Sequence, residues 1–275
     1  MGMSPTLSRY VSQNVTLLGD LNRPGGVSFA FTERTGGVSE GAYASLNLGS
    51  RCGDDPAAVA ENRARALAAL GAADIAGNLV EPKQVHGDHV VVVRGADAAE
   101  LARAREEAQA GADAVVCTAP DVPVLLCFAD CVPVVLTAPG AFAVIHSGWR
   151  GTLARISAKA LGVLMAETGC EAKDVNCYVG PHILGKDYEV SEDLMATFTA
   201  EFGTIAYTAF TKSKLDLSAV IARTLEEAGL PASNLLDSCV STATNLGRFY
   251  SYRAEGGICG RHAAIAYLGQ GSRSR

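Results

Sequence analysis

The feature that most constrains the fold is a run of short apolar segments in the middle of the chain. They lie at 114–118, 122–128, 132–137 and 142–145. Each is short and mostly apolar, and two of them contain a pair of consecutive valines. This pattern predicts strands. The chain therefore has to place a β-sheet in its core.

Helices are predicted on either side of these strands. The segment 55–70 has Pro56 just inside its start and Gly71 at its end, which is the usual order of helix signals. Further helices are predicted at 98–110, 191–202 and 215–228, with a long helix after HSGWRGT that ends near Thr168. The remaining predicted strands lie at 27–31, which is taken as the first strand, 88–93, 176–179, 235–239 and 263–268.

This order of elements predicts an α/β (α+β) fold, with a single domain in which a mixed β-sheet is flanked by helices. The predicted parts are an N-terminal segment at 1–26, a catalytic domain at 27–268 and a frayed tail at 269–275. The sequence contains no linker rich in proline or serine and no internal period of 20–50 residues.

Composition narrows the class of function. The chain has 275 residues, of which 48% are hydrophobic, so it can bury a large core. Its net charge of −6 disfavours a nucleic-acid partner, which would require a basic surface. The apolar runs are shorter than the roughly 20 residues of a membrane helix, and no signal peptide is evident. The eight cysteines form no regular framework, which predicts reduced thiols and a cytoplasmic location.

Three separated segments each contain one good ligand for a soft metal ion. They are KQVHG at 83–87, FADC at 128–131 and HSGWRGT at 146–152. Each lies near a strand end, where ligand crevices form in α/β sheets. His86, Cys131 and His146 together suit Zn²⁺ and leave a fourth position for water or substrate. The alternative is two hydrogen-bonded loop histidines and a buried thiol, because the spacing matches no compact zinc motif.

The same segments resemble a known family. KQVHG, ADAVV at 112–116, CFADCVPV and AVIHSGWRGT occur here in the order found in the YfiH/YlmD family. This family is also called the polyphenol oxidase or laccase-domain family, and its bacterial members include the peptidoglycan editing factor. SLNLG at 45–49 and FYSYRAEGGICGR at 249–261 help extend the resemblance from about residue 27 to 268.

The resemblance implies a single α/β domain whose metal site consists of His86, Cys131 and His146. It also implies purine nucleosides and phosphate as partners. The implied reactions are phosphorolysis of adenosine, inosine and S-methyl-5′-thioadenosine, together with deamination of adenosine. A monomer or a homodimer is expected. Family members often carry a cysteine pair after the Gly-Pro, where this chain has His182, so His182 is expected on the surface or the pocket wall rather than as a fourth ligand.

Asp130 is the carboxylate closest in sequence to a predicted ligand. Deamination requires a carboxylate that shuttles a proton, and Asp130 is the candidate. The alternative is that Asp130 caps a turn or orients His86 or His146. Adjacent residues of a strand point to opposite faces, so Asp130 and Cys131 can face one site only if the chain turns there.

Phosphorolysis requires a site for phosphate and contacts to the nucleoside. The start of the helix after His146 is a candidate anion site, with Arg150 adding a bidentate contact. Arg150 could instead pair with a structural carboxylate. Arg253 and Arg261 are further candidates for substrate binding. The amides of Asn47 and Gln84 are candidates for ribose or base contacts, and Asn47 is equally consistent with turn chemistry.

Three other functions remain as alternatives. A copper-dependent polyphenol oxidase of the laccase type needs many more histidines than the five in this chain, although Cu²⁺ could still occupy the site. Editing of peptidoglycan precursors by hydrolysis would use the same metal chemistry. A non-catalytic binding module would require a closed site with a fourth protein ligand.

Overall fold

Eleven strands form two sheets in the computed structural model, which describes residues 4–207 and 213–269. The first sheet has the order β1-β2-β3-β11-β6, and all its neighbours are antiparallel. Its strands are β1 (Ser8–Ser12), β2 (Val15–Gly19), β3 (Val27–Thr32), β6 (Val124–Phe128) and β11 (His262–Leu268).

The second sheet is mixed and has the order β10-β9-β7-β8-β5-β4. Its two edge pairs are parallel and its central pairs are antiparallel. Its strands are β4 (Val90–Val93), β5 (Ala114–Cys117), β7 (Val132–Ala138), β8 (Ala141–Ser147), β9 (Asn176–Val179) and β10 (Leu235–Asp237).

Six α-helices accompany the sheets within the described residues. They are α1 (Pro56–Leu70), α2 (Ala98–Ala110), α3 (Trp149–Leu153), α4 (Ile156–Thr168), α5 (Glu192–Phe202) and α6 (Leu217–Glu227). The start of α1 is set by Asp55, whose side chain accepts from the Ala57 N–H, and its end by Gly71 at φ 86°. No helix in the described parts of the chain is long and apolar enough to cross a membrane.

The core lies in three layers that follow from the alternation of side chains along the strands. In β3, Phe29 and Phe31 point between the two sheets, whereas Ala30 points to the outer face beneath α1. The outer face of the second sheet is covered by α4, α5 and α6. The two sheets therefore pack face to face, with helices outside, and both faces of each central strand are buried.

The predicted α/β domain with a mixed sheet is confirmed, and the structure adds a second, antiparallel sheet. The strand predicted at 27–31 is not the first, because β1 and β2 precede it within the segment 1–26. The long helix predicted to end near Thr168 is two helices. Arg155 adopts φ 60° between them, and its guanidinium pairs with Glu201 and Glu227. Of the predicted tail at 269–275, the structure describes only Gly269, and the rest lies outside the described residues.

The passage from β6 to β7 positions the site. β6 belongs to the first sheet and β7 to the second, and only Ala129–Cys131 connects them. Asp130 has φ 89° in this short turn. The chain therefore reverses there, and the condition under which Asp130 and Cys131 can face one site is met.

Candidate metal centre and substrate cavity

Strand register brings two of the predicted ligands together. Val132 at the start of β7 pairs with Ser147 at the end of β8, so Cys131 and His146 lie at the same end of neighbouring strands. β5 is the other neighbour of β8, and Asp113 directly precedes β5. The backbone N–H of His146 donates to the Asp113 carbonyl at 2.7 Å.

The carboxylate of Asp113 holds both histidines in place. It is fully buried, and its Oδ1 accepts from His146 Nδ1 at 2.7 Å and from the His86 N–H at 3.0 Å. Its Oδ2 accepts from the N–H groups of Val85 at 3.1 Å and Gly87 at 2.7 Å. These bonds stabilise the turn in which His86 has φ 59°. The sequence analysis did not assign Asp113, although a carboxylate directly before a wholly apolar strand needs buried partners.

His86, Cys131 and His146 form a compact donor cluster. Their ligand atoms all lie within 4.8 Å of one another. His86 is exposed, Cys131 is half-buried and His146 is buried. Because Nδ1 of His146 is bonded to Asp113, its Nε2 is the nitrogen available to a metal ion.

The charges around the cluster favour the ligating form of the thiol. Burial raises the pKa of Cys131, but the adjacent His146 and His86 lower it by more, to about 6. Burial lowers the pKa of His146, whereas Cys131 and Asp113 raise it, to about 9. A thiolate is the form of cysteine that binds metal, whereas His146 must be neutral to act as a ligand, so metal binding at this pair would release the proton of His146.

Gly148 leaves space beside the cluster. A Cβ at this position would lie 3.1 Å from Cys131 Sγ and 3.1 Å from His86 Cδ2. The missing side chain, the two imidazoles and the thiolate together fit one soft divalent cation with an open coordination position. The donor set suits both Zn²⁺ and Cu²⁺.

A cavity of about 620 Å³ opens beside the cluster and is lined by all three donor residues. This volume lies within the usual range of small-molecule sites. Its aromatic lining consists of Phe128, Trp149, Tyr188 and Tyr252. Aromatic walls of this kind suit a flat heterocyclic ligand.

Asp130 lines the same cavity and is fixed by two hydrogen bonds. Its Oδ1 accepts from the Thr242 hydroxyl at 2.6 Å, and its Oδ2 accepts from the Arg253 N–H at 2.7 Å. The carboxylate that orients His146 is Asp113 rather than Asp130, so that half of the alternative was wrong, whereas the bond from the Arg253 N–H makes Asp130 the cap of the turn at 252–257. The other carboxylate in the lining, Glu81, is paired with Arg63.

The two predicted amides are already bonded within the protein. Gln84 lines the cavity, but its side chain donates to the Cys127 carbonyl and accepts from the Cys127 N–H, both at 2.8 Å. Asn47 is fully buried and does not line the cavity. Its Oδ1 accepts from the N–H groups of Gly49 and Arg261, so the turn-chemistry alternative describes its contacts.

Arg150 is not brought to the cavity. It is exposed, its guanidinium lies 4.6 Å from the ring centre of Trp149, and it does not line the cavity. The helix that it was expected to serve, α3, has only five residues. The predicted phosphate cradle at this helix is therefore not supported by the structure.

Three other arginines do line the cavity. Arg253 and Arg261 were predicted from the sequence, whereas Arg51 was missed. The signal for Arg51 was its place in GSRCGDD, a run of turn residues between a predicted strand and a predicted helix. Arg253 stacks near Tyr188 at 5.3 Å, and Arg261 stacks near Tyr252 at 5.6 Å.

His182 lies in the interior rather than on the surface or the pocket wall. It is fully buried, and its Nδ1 contacts the Gly180 carbonyl at 2.8 Å. It belongs neither to the donor cluster nor to the cavity lining. His182 was expected on the surface or the pocket wall, and that expectation was wrong. It was also expected not to be a fourth ligand, and it does lie outside the donor cluster.

Comparisons with known proteins agree with this arrangement. A family model described as multi-copper polyphenol oxidoreductase laccase matches residues 28–269. A protein of Deinococcus radiodurans named purine nucleoside phosphorylase is 38% identical over 245 residues, which cover 88% of this chain and 89% of that protein. A protein of the same name from Corynebacterium glutamicum is 34% identical over 250 residues, covering 90% and 96%.

Solved structures share the fold. The crystal structure of YlmD from Geobacillus stearothermophilus has a TM-score of 0.82 and 26% identity, covering 98% of this chain and 100% of that one. The structure of the hypothetical protein YfiH from Bacillus licheniformis has a TM-score of 0.83 and 26% identity, covering 94% and 97%. The likeness therefore extends over nearly the whole chain.

Proposed function

The chain belongs to the family described as multi-copper polyphenol oxidoreductase laccase, as its sequence motifs predicted, and we propose that it is a metal-dependent purine nucleoside phosphorylase. The observation that carries this proposal is the donor cluster of His86, Cys131 and His146 at a cavity that is also lined by three arginines and four aromatic side chains. Relatives named purine nucleoside phosphorylase support the same reaction.

The proposed substrates are inorganic phosphate and the nucleosides adenosine, inosine and S-methyl-5′-thioadenosine. A phosphate oxygen forms a bond to C1′ of the sugar while the bond from C1′ to the base nitrogen breaks. The base leaves with the electron pair of that bond and takes up a proton, and the sugar leaves as its 1-phosphate. We propose deamination of adenosine as a second activity of the same cavity.

His86, Cys131 and His146 would hold Zn²⁺ in this proposal, or Cu²⁺, which the same donors bind more tightly. A bound metal of this kind supplies Lewis acidity and lowers the pKa of water. Asp113 orients His146 through Nδ1 and so leaves Nε2 as the nitrogen that would bind the ion. Gly148 keeps the approach to the cluster open.

Asp130 is the proposed proton-transfer group. Among the described residues it is the carboxylate of the cavity lining that forms no ion pair with an arginine side chain, since Glu81 is paired with Arg63. The hydrogen bonds from Thr242 and Arg253 hold its carboxylate in one orientation. Tyr188 and Tyr252 are the proposed contacts for the base, because aromatic rings stack on flat heterocycles.

The rival copper-oxidase mechanism needs a second cluster of metal ligands. A metal site needs at least three His, Cys, Asp or Glu side chains close together. In the parts of the chain that the structure describes, one such group contains a histidine or cysteine, and it consists of His86, Cys131 and His146. The other three histidines of the chain, at 89, 182 and 262, lie outside it. A trinuclear copper centre therefore lacks ligands here.

A product assay tests the proposal. Purified protein with measured metal content is given adenosine with and without phosphate, and the bases are separated by chromatography. Adenine that appears only with phosphate supports phosphorolysis, and inosine or hypoxanthine supports deamination. If neither forms with the metal bound, the nucleoside proposal fails, and amides of cell-wall precursors become the substrates to test.

The eight cysteines are all free thiols, which supports the proposed cytoplasmic location, because reducing compartments keep thiols unpaired. Fractionation of cells with an antibody to the protein tests this expectation.

A further inference from the structure

The cavity lining contains three arginines and two carboxylates, Asp130 and Glu81, although the protein carries a net charge of −6. Arg51, Arg253 and Arg261 line it, and within residues 4–207 and 213–269 none of them forms an ion pair with a carboxylate. Most arginines elsewhere in the described chain have such a partner. An unneutralised group of arginines facing a cavity is the arrangement that attracts and binds anions.

The guanidinium groups of these three arginines donate hydrogen bonds to neutral groups. Arg51 donates to the Gln109 amide oxygen at 2.8 Å, and Arg253 donates to the Glu189 backbone carbonyl at 2.8 Å. Arg261 donates through one nitrogen, Nη1, to the carbonyls of residues 259 and 260. Because a guanidinium has five N–H donors, Arg51 and Arg261 both keep donors for a ligand.

Arg51 and Arg261 belong to one locally built structure. The stem of Arg261 packs directly on Gly49, where a Cβ would meet its Cγ at 2.7 Å. Asn47 connects the two segments, because its Oδ1 accepts from the N–H groups of Gly49 at 2.9 Å and Arg261 at 2.8 Å. Its Nδ2 donates to the Gly49 carbonyl at 3.2 Å and to Asp54 at 2.8 Å.

From this arrangement we propose that Arg51 and Arg261 form a subsite for a phosphate dianion and that the buried Asn47 is its positioning residue. Arg253 lies by Tyr188, and its backbone N–H donates to Asp130, the neighbour in sequence of the candidate metal ligand Cys131. The subsite replaces the one expected at Arg150. It deepens the proposed phosphorylase function and rests on it for the identity of the anion.

Phosphate is the fitting anion because two guanidinium groups match its oxygens with paired N–H donors. Two sources share this chemistry, namely inorganic phosphate and the phosphate ester of a nucleotide. Glu81 does not cancel the charge of the subsite, since it is paired with Arg63. The subsite therefore selects for a doubly charged phosphate over a neutral ligand.

Calorimetric titration of inorganic phosphate into the purified full-length protein tests the proposal without any turnover. Arg51→Gln and Arg261→Gln are expected to weaken phosphate binding by about tenfold or more, because each removes a charge-assisted contact. Arg51 is exposed, so its variant is expected to fold even if the Arg261 variant does not. Arg51→Lys keeps the positive charge, so it is expected to bind phosphate more tightly than Arg51→Gln but less tightly than the wild type.

Arg223→Gln is the matched control. Arg223 is an exposed arginine of α6 outside the cavity lining, and its replacement removes the same charge. Its phosphate affinity is expected to equal that of the wild type. A parallel titration with adenosine 5′-monophosphate identifies the source. If Arg51→Gln and Arg261→Gln weaken the binding of both ligands, the subsite is supported. If they weaken the binding of the nucleotide alone, the subsite is supported and its ligand is the phosphate ester.

Wild-type phosphate affinity in both Arg51→Gln and Arg261→Gln, with nucleotide affinity also unchanged, would overturn the subsite. This result is distinct from failure of the proposed function. If phosphate binding depends on the arginines but no nucleoside is cleaved, the subsite stands and the phosphorylase proposal fails. If nucleoside is cleaved with phosphate and the variants bind both phosphate and the nucleotide normally, the phosphorylase proposal stands and the subsite fails.

Discussion

Two buried polar side chains organise different parts of the cavity lining: the Asp113 carboxylate bonds to both histidines of the donor cluster, and the Asn47 carboxamide bonds to the backbone of Gly49 and Arg261. The metal wall consists of His86, Cys131 and His146 with Asp113 behind them. The arginine wall consists of Arg51 and Arg261 with Asn47 behind them. Asp113 and Asn47 are both fully buried, and each joins segments that are distant in the sequence.

The difference between Asp113 and Asn47 matches what each one positions. Asp113 accepts four hydrogen bonds and donates none, and its charge increases the basicity of the His146 ring. Asn47 both donates and accepts, so it organises its loop without adding a charge next to the arginines. The metal wall, which has a carboxylate behind it, favours a cation, whereas the arginine wall, which has a neutral amide behind it, favours an anion. The two walls can therefore share one cavity.

The largest expected effect is the loss of the metal wall. Cys131→Ala or His146→Ala should abolish metal binding and nucleoside turnover together, because two protein ligands do not hold the ion. Metal analysis and the product assay measure both, while circular dichroism follows the fold, which is expected to survive. Turnover at the wild-type rate in a metal-free variant would contradict the metal mechanism.

Asp113→Asn removes the negative charge behind the metal ligands but keeps the size of the side chain. The amide places N–H groups against backbone N–H donors, so metal affinity should fall by about 10–100-fold. The free energy of unfolding should fall by about 1–3 kcal/mol. Chelator competition and urea unfolding measure the two effects. Asp88→Asn, which alters an exposed aspartate paired with Lys159, serves as the control.

Asn47→Asp makes the reverse change on the arginine wall. It loses the bond to the Gly49 carbonyl and places a second carboxylate beside Asp54. The KM for phosphate should rise by several-fold while metal content stays constant. Steady-state kinetics at varied phosphate measures this. Asn78→Asp, which also loses a bond to a carbonyl but lies outside the cavity, separates the effect from lost stability.

The smallest effect is expected for Arg150→Gln. Its guanidinium lies over Trp149 outside the cavity lining, so the dependence of turnover on phosphate should not change. The same kinetic assay measures this. A raised KM for phosphate would restore the anion site predicted from the sequence and would weaken the assignment of the arginine wall.

Local sequence patterns predicted the elements of the fold well. The strand at 176–179 and the helix at 98–110 have the predicted bounds, and most other elements differ from prediction by a few residues. Apolar runs and cap residues act over a few neighbouring positions, so they can be recognised without the tertiary structure. The three metal-ligand candidates were also identified, because their residue types and family motifs are visible in the sequence.

The pairing of strands was decided only in the tertiary structure. Nothing local to the segment 124–138 states that β6 and β7 belong to different sheets, although this change of sheet makes Asp130 and Cys131 face one cavity. Register also places Asp113 beside His146 across two strands. Contacts of this kind join residues far apart in the chain, so no local pattern contains them.

The roles of the polar residues around the cavity divide in the same way. The sequence by itself determined which side chains can bind a metal or an anion, since that depends on chemical type. Only the tertiary structure decided that Asn47 is a buried support, that Arg150 faces away and that Arg51 lines the cavity. The physical reason is that a side chain's function depends on its burial and its partners, and both are set by packing between distant segments.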